Sequence, residues 1–329
     1  MVDRSCLQLD QLRLYQPYHS ENHCGFTDLT RFDGVWFLAF REGSTHMSLD
    51  GQIVILTSTH GVDWQVHSRL QWVGGDLRDP HFVINAQGAL VLNAGIRLAV
   101  KTQPHCNVSS VGWVWCEPEQ QWSSPVLDDD SACHWRWMPQ RVGEWVYSVA
   151  YTGQARQGKL MRSADGLHWQ PWVVPFFPDP SVYCNEASLT LDQDHLLCLL
   201  RCDQKGGCPA RLGWAAPPFD DWQWTTLPTA IGGPKVITLS NGDMIAVYRV
   251  IDYAQKTARL EVAQLTLDVA RKQADLEVLG TLPAQGDCSY AGMVEFERAL
   301  WISYYASPNE KDETDRPSQV YVTRVPLAC

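Results

Sequence analysis

The sequence lacks several features that would place it at a membrane or on a nucleic acid. No apolar run is long enough to cross a bilayer, and charges interrupt the first residues, MVDRSCLQLDQLRLYQ, where a secretion signal would be apolar. Positive charge is scarce, with 26 Lys and Arg against 37 Asp and Glu. Because nucleic acids and anionic membranes are bound through Lys and Arg, we expect neither as a partner. We expect a cytoplasmic protein, for which the sequence indicates no protein partner.

The sequence also lacks any C-x-x-C pair, although it contains eleven cysteines. An odd, scattered set of this kind predicts buried thiols in a reducing compartment rather than a disulfide framework. We expect neither a bound metal nor an organic cofactor.

Amphipathic stretches of helical length are few, and short runs rich in Val, Leu, Ile and Trp fill the chain. This pattern predicts an all-β protein. One kind of run recurs about every fifty residues: a turn, a short apolar strand, and a polar or aromatic residue at its end. The six copies are residues 33–41 (DGVWFLAFR), 87–97 (QGALVLNAGIR), 142–151 (VGEWVYSVAY), 192–201 (DQDHLLCLLR), 241–249 (NGDMIAVYR) and 297–305 (ERALWISYY).

Tryptophans recur between these runs, each after a tight turn, at Trp64, Trp122, Trp169 and Trp222. A period of this size, filled by several short strands, is typical of four-stranded sheets repeated around an axis. We predict one domain over residues 1–329, a six-bladed β-propeller of four-stranded antiparallel blades. Its N- and C-terminal segments are expected to close the ring, and five blades with a closing strand are the alternative.

Two turns share the frame Ser-x-x-Gly-x-x-Trp, at residues 58–64 (STHGVDW) and 163–169 (SADGLHW). They resemble shortened Asp boxes, the turn motif of bacterial neuraminidase repeats. We expect Asp165 to accept hydrogen bonds from nearby backbone amides, with Trp169 packed beneath. The resemblance implies a structural role for these turns, away from the substrate face.

A hairpin at residues 184–201 (CNEASLTLDQDHLLCLLR) has Glu186 at the start of one strand and Arg201 at the end of the next. Folding back brings these two ends together, so we expect the carboxylate and the guanidinium to meet. Farther along are Arg259 in KTARLEVAQL and Tyr290 in GDCSYAGMV. In order and spacing, these four residues resemble the catalytic set of the sialidase superfamily.

The resemblance implies a Tyr nucleophile at Tyr290, a base at Glu186 that polarises it, and a carboxylate clamp of Arg201 and Arg259. The chemistry is consistent, because guanidinium groups bind a planar carboxylate bidentately and a neighbouring carboxylate can take the proton of a phenol. A Tyr nucleophile also avoids the repulsion between an anionic sugar and an Asp or Glu.

The first half departs from the family pattern. No arginine stands at residues 22–24 (NHC), where the first carboxylate-binding arginine is expected. In the loop expected to carry an acid/base Asp, His46 lies nearest to that position, and Asp50 is the second choice. Three further residues are substrate-binding candidates: Arg41, Arg78 and Asp79. Each candidate also has a structural reading, and Arg249 in particular is interpreted as a rim residue paired with a neighbouring acid.

The sequence therefore predicts a sialidase-like exo-glycoside hydrolase that releases a terminal sialic acid or a related ulosonic or uronic acid. A polysaccharide lyase remains open, because His46 and Tyr290 would also suit β-elimination from a uronic acid. A carbohydrate-binding propeller without activity is the non-enzymatic alternative. The expected partner in all three cases is an acidic carbohydrate.

Overall fold

The structure is a computed structural model that describes residues 6–101, 106–127, 133–152, 158–203, 207–307 and 317–328. Its strands form six antiparallel four-stranded sheets, preceded by a short 3-10 helix at Leu9–Gln11. The first strands of the sheets contact one another in a closed ring. The protein is a six-bladed β-propeller, as the repeat period predicts.

The strands are numbered in chain order, and each blade runs from the axis outward. The innermost strands are β2 (His23–Phe32), β6 (Gly75–Ile84), β10 (Trp135–Val142), β14 (Tyr183–Asp192), β18 (Gly232–Thr238) and β22 (Cys288–Phe296). The second strands are β3 (Val35–Gly43), β7 (Leu90–Leu98), β11 (Trp145–Tyr151), β15 (His195–Asp203), β19 (Met244–Asp252) and β23 (Ala299–Ala306).

The third strands are β4 (Gln52–Ser58), β8 (Val108–Cys116), β12 (Lys159–Ser163), β16 (Arg211–Ala215), β20 (Thr257–Asp268) and β24 (Gln319–Pro326). The outermost strands are β5 (Gln65–Leu70), β9 (Gln121–Trp122), β13 (Gln170–Val173), β17 (Gln223–Thr226), β21 (Gln273–Thr281) and β1 (Arg13–Tyr15). In the sixth blade, β1 pairs with β24, so a strand from the start of the chain completes the last sheet.

The six recurring apolar runs of the sequence are the second strands with their preceding turns. They read as continuous apolar runs because both faces of these strands are buried. In β15, Leu196 and Leu200 pack toward blade three, and Leu197 and Leu199 pack toward blade five. The blades are therefore held together by side chains that alternate between two neighbours.

The four recurring tryptophans lie at or just before the outermost strands of blades one to four. Trp64 and Trp222 each donate their indole N–H to a carbonyl three residues earlier, and Trp169 is buried. The turn before Trp169 has the expected hydrogen bonds, since Asp165 Oδ1 accepts from the amides of Leu167 and His168 at 2.8 and 2.9 Å.

Every innermost strand carries a β-bulge at the same place, at residues 26–27, 79–80, 138–139, 185–186, 233–234 and 290–291. In five of the six, the first bulged residue has a positive φ: Phe26, Asp79, Met138, Gly233 and Tyr290. A bulge re-aims the side chain that it carries. Six bulges on neighbouring strands thus form a ring of re-aimed residues around the axis, which we call the bulge ring.

Most of the described cysteines are thiols, as the sequence predicts, but Cys106 and Cys133 form a disulfide. The loop after β7 and the segment before β10 bring these two residues together, although 27 positions separate them. Within the part of the chain that the structure describes, eight other cysteines are thiols, and six of these are buried. Among the described residues, no helix has the length and apolar character needed to span a bilayer.

Candidate active site

Tyr290 and Glu186 are in direct contact at the bulge ring. The Tyr290 hydroxyl donates to Glu186 Oε1 at 2.6 Å, and both side chains are almost fully buried. The same carboxylate oxygen accepts from Arg201 Nη1 at 2.7 Å, which confirms that the two ends of the 184–201 hairpin meet. The amide of Gly233 donates to the other oxygen at 2.7 Å. Three donors from three blades therefore fix the carboxylate of Glu186.

The Tyr290 ring belongs to a stack of four nearly parallel aromatic rings. Its centroid lies 5.6 Å from Trp137 and 6.2 Å from Tyr305, with interplanar angles of 12° and 9°. Trp137 stacks in turn on Tyr151 at 6.4 Å. Such packing holds the Tyr290 ring in one orientation, so its hydroxyl remains directed at Glu186.

The electrostatics of this pair keep the phenol protonated and the carboxylate ionised in the resting state. Burial raises the pKa of Tyr290 well above its usual value, and the charge of Glu186 raises it further. Burial also acts to raise the pKa of Glu186, but the charge and hydrogen bond of Arg201 outweigh it, and the pKa is lowered. At neutral pH the resting state is therefore a phenol beside a carboxylate that can accept its proton.

The second arginine beside Arg201 is Arg249. It ends the second strand run of blade five, as Arg201 does in blade four. The place that a Cβ on Gly232 would occupy lies 3.3 Å from Arg249 Nε and 3.6 Å from Arg201 Nη1. Both arginines line one cleft. Burial alone would lower the pKa of Arg249, but the tyrosine and carboxylate groups around it outweigh burial and raise that pKa, so the group is charged.

Arg259, which the sequence resemblance offers as the third arginine, has a different position. It lies on β20, one strand farther from the axis than Arg249, and its side chain is half exposed. Its guanidinium pairs with Glu261 of the same strand at 2.6 Å. Arg249 pairs with a neighbouring acid as predicted, Asp287 at 3.6 Å, but its side chain is only 10% exposed and lies beside Arg201 rather than on an open rim. The repeat contained the signal: Arg201 and Arg249 close equivalent runs, LLCLLR and MIAVYR.

Asp287 joins residues from four different segments, a role that no motif in the sequence indicates. Its Oδ2 contacts His23 Nε2 at 2.9 Å and His46 Nδ1 at 2.7 Å. Its Oδ1 accepts from the Tyr305 hydroxyl at 2.9 Å and lies 3.6 Å from Arg249 Nη1. We call His23, His46 and Asp287 the His–Asp–His cluster.

The His–Asp–His cluster stands where the sequence lacks the first arginine. His23 opens β2 and is itself buried, whereas the side chain of His46 is 17% exposed. Burial acts to raise the pKa of Asp287, but hydrogen bonds from both histidines and the charge of Arg249 lower it far below its usual value. Asp287 is thus an ionised carboxylate that orients both imidazoles. Three ligand atoms of the cluster lie within 4.8 Å of one another, a spacing that could hold a metal ion.

Two candidate residues from the first half of the chain, Arg41 and Asp50, hydrogen-bond to the loop that carries His46. Arg41 is fully buried; its Nε donates to Asp76 at 2.6 Å, and its other nitrogens donate to Thr45 and Ser48. The structure therefore places Arg41 under the loop, where its donors are used by protein atoms. Asp50 accepts from the amide and hydroxyl of Ser44. Burial acts to raise the pKa of Asp50, but these hydrogen bonds prevail and lower it to about 2, which does not suit a proton donor at neutral pH.

Arg78 and Asp79 lie in the wall between blades one and two. The Arg78 guanidinium stacks 4.4 Å from the centre of the Phe26 ring, and its Nε lies 3.8 Å from Asp79. Asp79 occupies the blade-two position of the bulge ring, and burial raises its pKa to about 7. Both residues thus lie at the bulge ring, and their part in substrate binding stays a prediction.

Comparison with known proteins finds similar folds but no matching sequence family. No family model matches the chain, and no curated protein matches it by sequence. A solved protein of unknown function from Dyadobacter fermentans DSM 18053 superposes with a TM-score of 0.78 at 14% identity, covering 96% of this chain and 99% of that one.

Two enzymes of known class share the same architecture. An alpha-L-arabinanase from Penicillium chrysogenum, solved with arabinobiose, superposes with a TM-score of 0.63 at 12% identity over 97% of this chain and 96% of that chain. The NanB sialidase from Streptococcus pneumoniae superposes with a TM-score of 0.67 at 9% identity over 98% of this chain and 70% of that chain. The protein therefore has the six-bladed propeller fold that sialidases and an arabinanase also have.

Proposed function

We propose that the protein is an exo-acting glycoside hydrolase that removes a terminal acidic sugar with retention of configuration. The observation that carries the proposal is the 2.6 Å hydrogen bond from the Tyr290 hydroxyl to Glu186. It places a base beside the phenol, as a glycosidase needs when its substrate is anionic and repels a carboxylate nucleophile.

In the proposed reaction, Tyr290 Oη attacks the anomeric carbon while Glu186 accepts the phenolic proton. The bond to the leaving oxygen breaks, and a proton donor protonates that oxygen. Water then attacks the tyrosyl-glycosyl intermediate and restores both side chains. Arg201 and Arg249 bind the carboxylate of the sugar, since two largely buried guanidinium groups, 17% and 10% exposed, offer several donors to a planar anion.

His46 is the proposed donor to the leaving group. Its Nδ1 is bound to Asp287, which fixes the orientation of the ring and leaves Nε2 for the substrate. Asp50 is not assigned this role, because the Ser44 turn holds it and lowers its pKa.

A lyase is the second candidate, and the contact between His46 and Asp287 favours it. A histidine oriented by a buried carboxylate is suited to remove the proton beside the carboxylate of a uronic acid. Tyr290 would then protonate the leaving oxygen. The elimination forms a carbon–carbon double bond and consumes no water.

Product analysis distinguishes these reactions. The purified protein is incubated in ¹⁸O-labelled water with glycans that end in sialic acid, other ulosonic acids or uronic acids, and the products are examined by mass spectrometry and ultraviolet absorbance. Hydrolysis incorporates one labelled oxygen into the released acidic sugar and supports the proposal. Unlabelled products with a new conjugated double bond indicate the lyase. Binding of an acidic sugar without cleavage indicates a carbohydrate-binding propeller.

A further inference from the structure

The His–Asp–His cluster has the arrangement of a metal site built from three separate chain segments. His23 comes from the first residue of β2, His46 from the loop after β3, and Asp287 from the residue before β22. The three ligand atoms are His23 Nε2, His46 Nδ1 and Asp287 Oδ2, and all lie within 4.8 Å of one another. Ligand atoms in a tetrahedral site with bonds of about 2.1 Å are roughly 3.4 Å apart. Small side-chain movements would therefore complete the site.

The two oxygens of Asp287 are divided between different kinds of neighbour. Oδ2 faces the two imidazoles, and Oδ1 is held by the Tyr305 hydroxyl and by Arg249 at 3.6 Å. In metal sites, ligating carboxylates are in turn hydrogen-bonded by outer residues that fix their orientation. Tyr305 and Arg249 provide this support on the oxygen that faces away from the histidines.

Burial adds to the case for a bound ligand. The side chains of His23 and Asp287 are completely buried, so an ion bound between them would be shielded from bulk water on that side. His46 is partly exposed at the funnel, so a cation held there would be open to the substrate on that side. Three protein ligands with one open position are the pattern of a catalytic or substrate-binding metal rather than a structural one.

The donor set selects the class of ion. Two imidazole nitrogens and one carboxylate oxygen suit divalent transition metals such as Zn²⁺, Co²⁺ or Fe²⁺, whereas Ca²⁺ and Mg²⁺ prefer oxygen ligands throughout.

We propose that His23, His46 and Asp287 bind one divalent transition-metal ion at the side of the funnel next to Arg249. The ion places positive charge where the sequence has no arginine at residues 22–24 and so completes a three-point anion site with Arg201 and Arg249. This use of the charge rests on the proposed function; binding of the ion does not. Because the ion uses His46 Nδ1, metal binding replaces the assignment of His46 as proton donor, and the leaving-group proton then comes from another donor.

Cobalt binding tests the proposal without a substrate. Untagged protein is treated with a chelator, dialysed and titrated with Co²⁺, whose visible absorption reports nitrogen and oxygen ligation, and Zn²⁺ is then added to displace it. The expected result is one Co²⁺ per chain. No visible band and no calorimetric binding of either ion would leave only a hydrogen-bonded cluster and overturn the proposal.

Variants locate the site. His46→Ala, in a loop and partly exposed, is expected to abolish the band with the fold retained by circular dichroism, and His23→Ala is expected to do the same. Tyr305→Phe keeps the ring but removes the hydroxyl, and it should weaken binding by about 10-fold. The matched control is His60→Ala, in the turn before Trp64, which should bind normally. Equal Co²⁺ binding by wild type, His46→Ala and His23→Ala would place the ion elsewhere.

The metal site and the hydrolase proposal fail separately. If Co²⁺ binds but the glycan panel is not cleaved, the site stands and the hydrolase assignment falls. If cleavage occurs and the chelator changes neither kcat nor KM, the role of the ion in anion binding is wrong.

Discussion

The Tyr290 hydroxyl lies 2.6 Å from the Glu186 carboxylate, although the two residues are 104 positions apart in the chain. Blades four and six present them to the same funnel, and Gly233 of blade five lies between their strands in the ring and donates its amide to Glu186. In the proposed mechanism, this phenol acts as the nucleophile and the carboxylate as its base, so removing either member should stop the reaction.

Tyr290→Phe is the direct test of this pair. The substitution preserves the aromatic stack and deletes only the oxygen, so turnover should fall by at least about 10³-fold while the affinity for the acidic sugar is retained. The measurement is kcat on the glycan that the panel identifies, with binding followed by calorimetry. Tyr304→Phe is the control, because it removes a hydroxyl that donates to Pro283 rather than to Glu186. Full activity of Tyr290→Phe would exclude the tyrosyl mechanism.

A second prediction concerns which arginine completes the carboxylate clamp. Arg249→Ala should weaken binding of an acidic monosaccharide by on the order of 2 kcal/mol, or roughly 30-fold, because a charge-assisted contact in a buried site is lost. Arg259→Ala should change the affinity at most a few-fold, since that side chain is half exposed and pairs with Glu261.

Calorimetric titration of both variants, with their folds checked by circular dichroism, measures this difference. Arg249→Lys keeps the charge but loses the planar guanidinium that binds a carboxylate bidentately, so an intermediate affinity is expected. The opposite ranking, with Arg259→Ala the weaker binder, would restore the assignment that the sequence resemblance implies.

The sequence was sufficient to predict the fold because each repeat can be recognised from consecutive residues. Each blade contains a turn and a run buried on both faces, and this signal needs no knowledge of neighbouring blades. Glu186 and Arg201 could also be paired, because one hairpin connects them. Arg249 shows the limit: its run has the same form as that of Arg201, but its position beside that residue depends on how blades four and five pack.

Asp287 was beyond prediction for a related reason. Its four partners come from blade one, the loop after β3, blade five and blade six, and none is near it in sequence except Tyr305, 18 positions away. The bulge ring could not be predicted either, although the second bulged residue is a proline in three blades, at Pro80, Pro139 and Pro234. The side chains that the bulges re-aim are defined only once the strands are paired.

A third prediction uses the pKa of Asp79, which burial raises to about 7. The charges of Arg78 and Arg41 act to lower it, and those of Glu186 and Asp76 act to raise it. The folded protein therefore holds this proton to a higher pH than the unfolded chain does. The stabilisation is fully present below about pH 4 and is lost as the pH rises to about 7, by on the order of 4 kcal/mol.

Asp79→Asn removes this contribution while keeping a residue that tolerates the positive φ at this position. The free energy of unfolding is measured by urea denaturation of both proteins between pH 4 and 8. The wild type should lose stability relative to the variant as the pH rises through this range, and the difference should level off above pH 7. A constant difference would show that Asp79 is ionised in the folded protein.

The last prediction separates backbone strain from a steric clash at the bulge ring. Gly233 has a φ of +52°, and a Cβ there would meet Ser289 Oγ and lie 3.2 Å from the Tyr290 ring. Gly242, in the turn before β19, has a φ of +92°, and a Cβ there would meet nothing within 4 Å. Alanine at either position therefore carries the cost of a left-handed backbone, about 1 kcal/mol, but only Gly233→Ala adds overpacking, typically 1–3 kcal/mol more.

The clash at Gly233 is directed at the proposed catalytic pair, because its amide donates to Glu186 and a Cβ there would press on Tyr290. Gly233→Ala should therefore lower kcat by about 10²-fold, the effect of a displacement of roughly 1 Å in a reacting group, whereas Gly242→Ala should keep full activity. Denaturation midpoints and kcat are measured for both variants. Equal losses of activity in the two would mean that general destabilisation is the cause, and the bulge at Gly233 would then have no special part in aligning Tyr290 with Glu186.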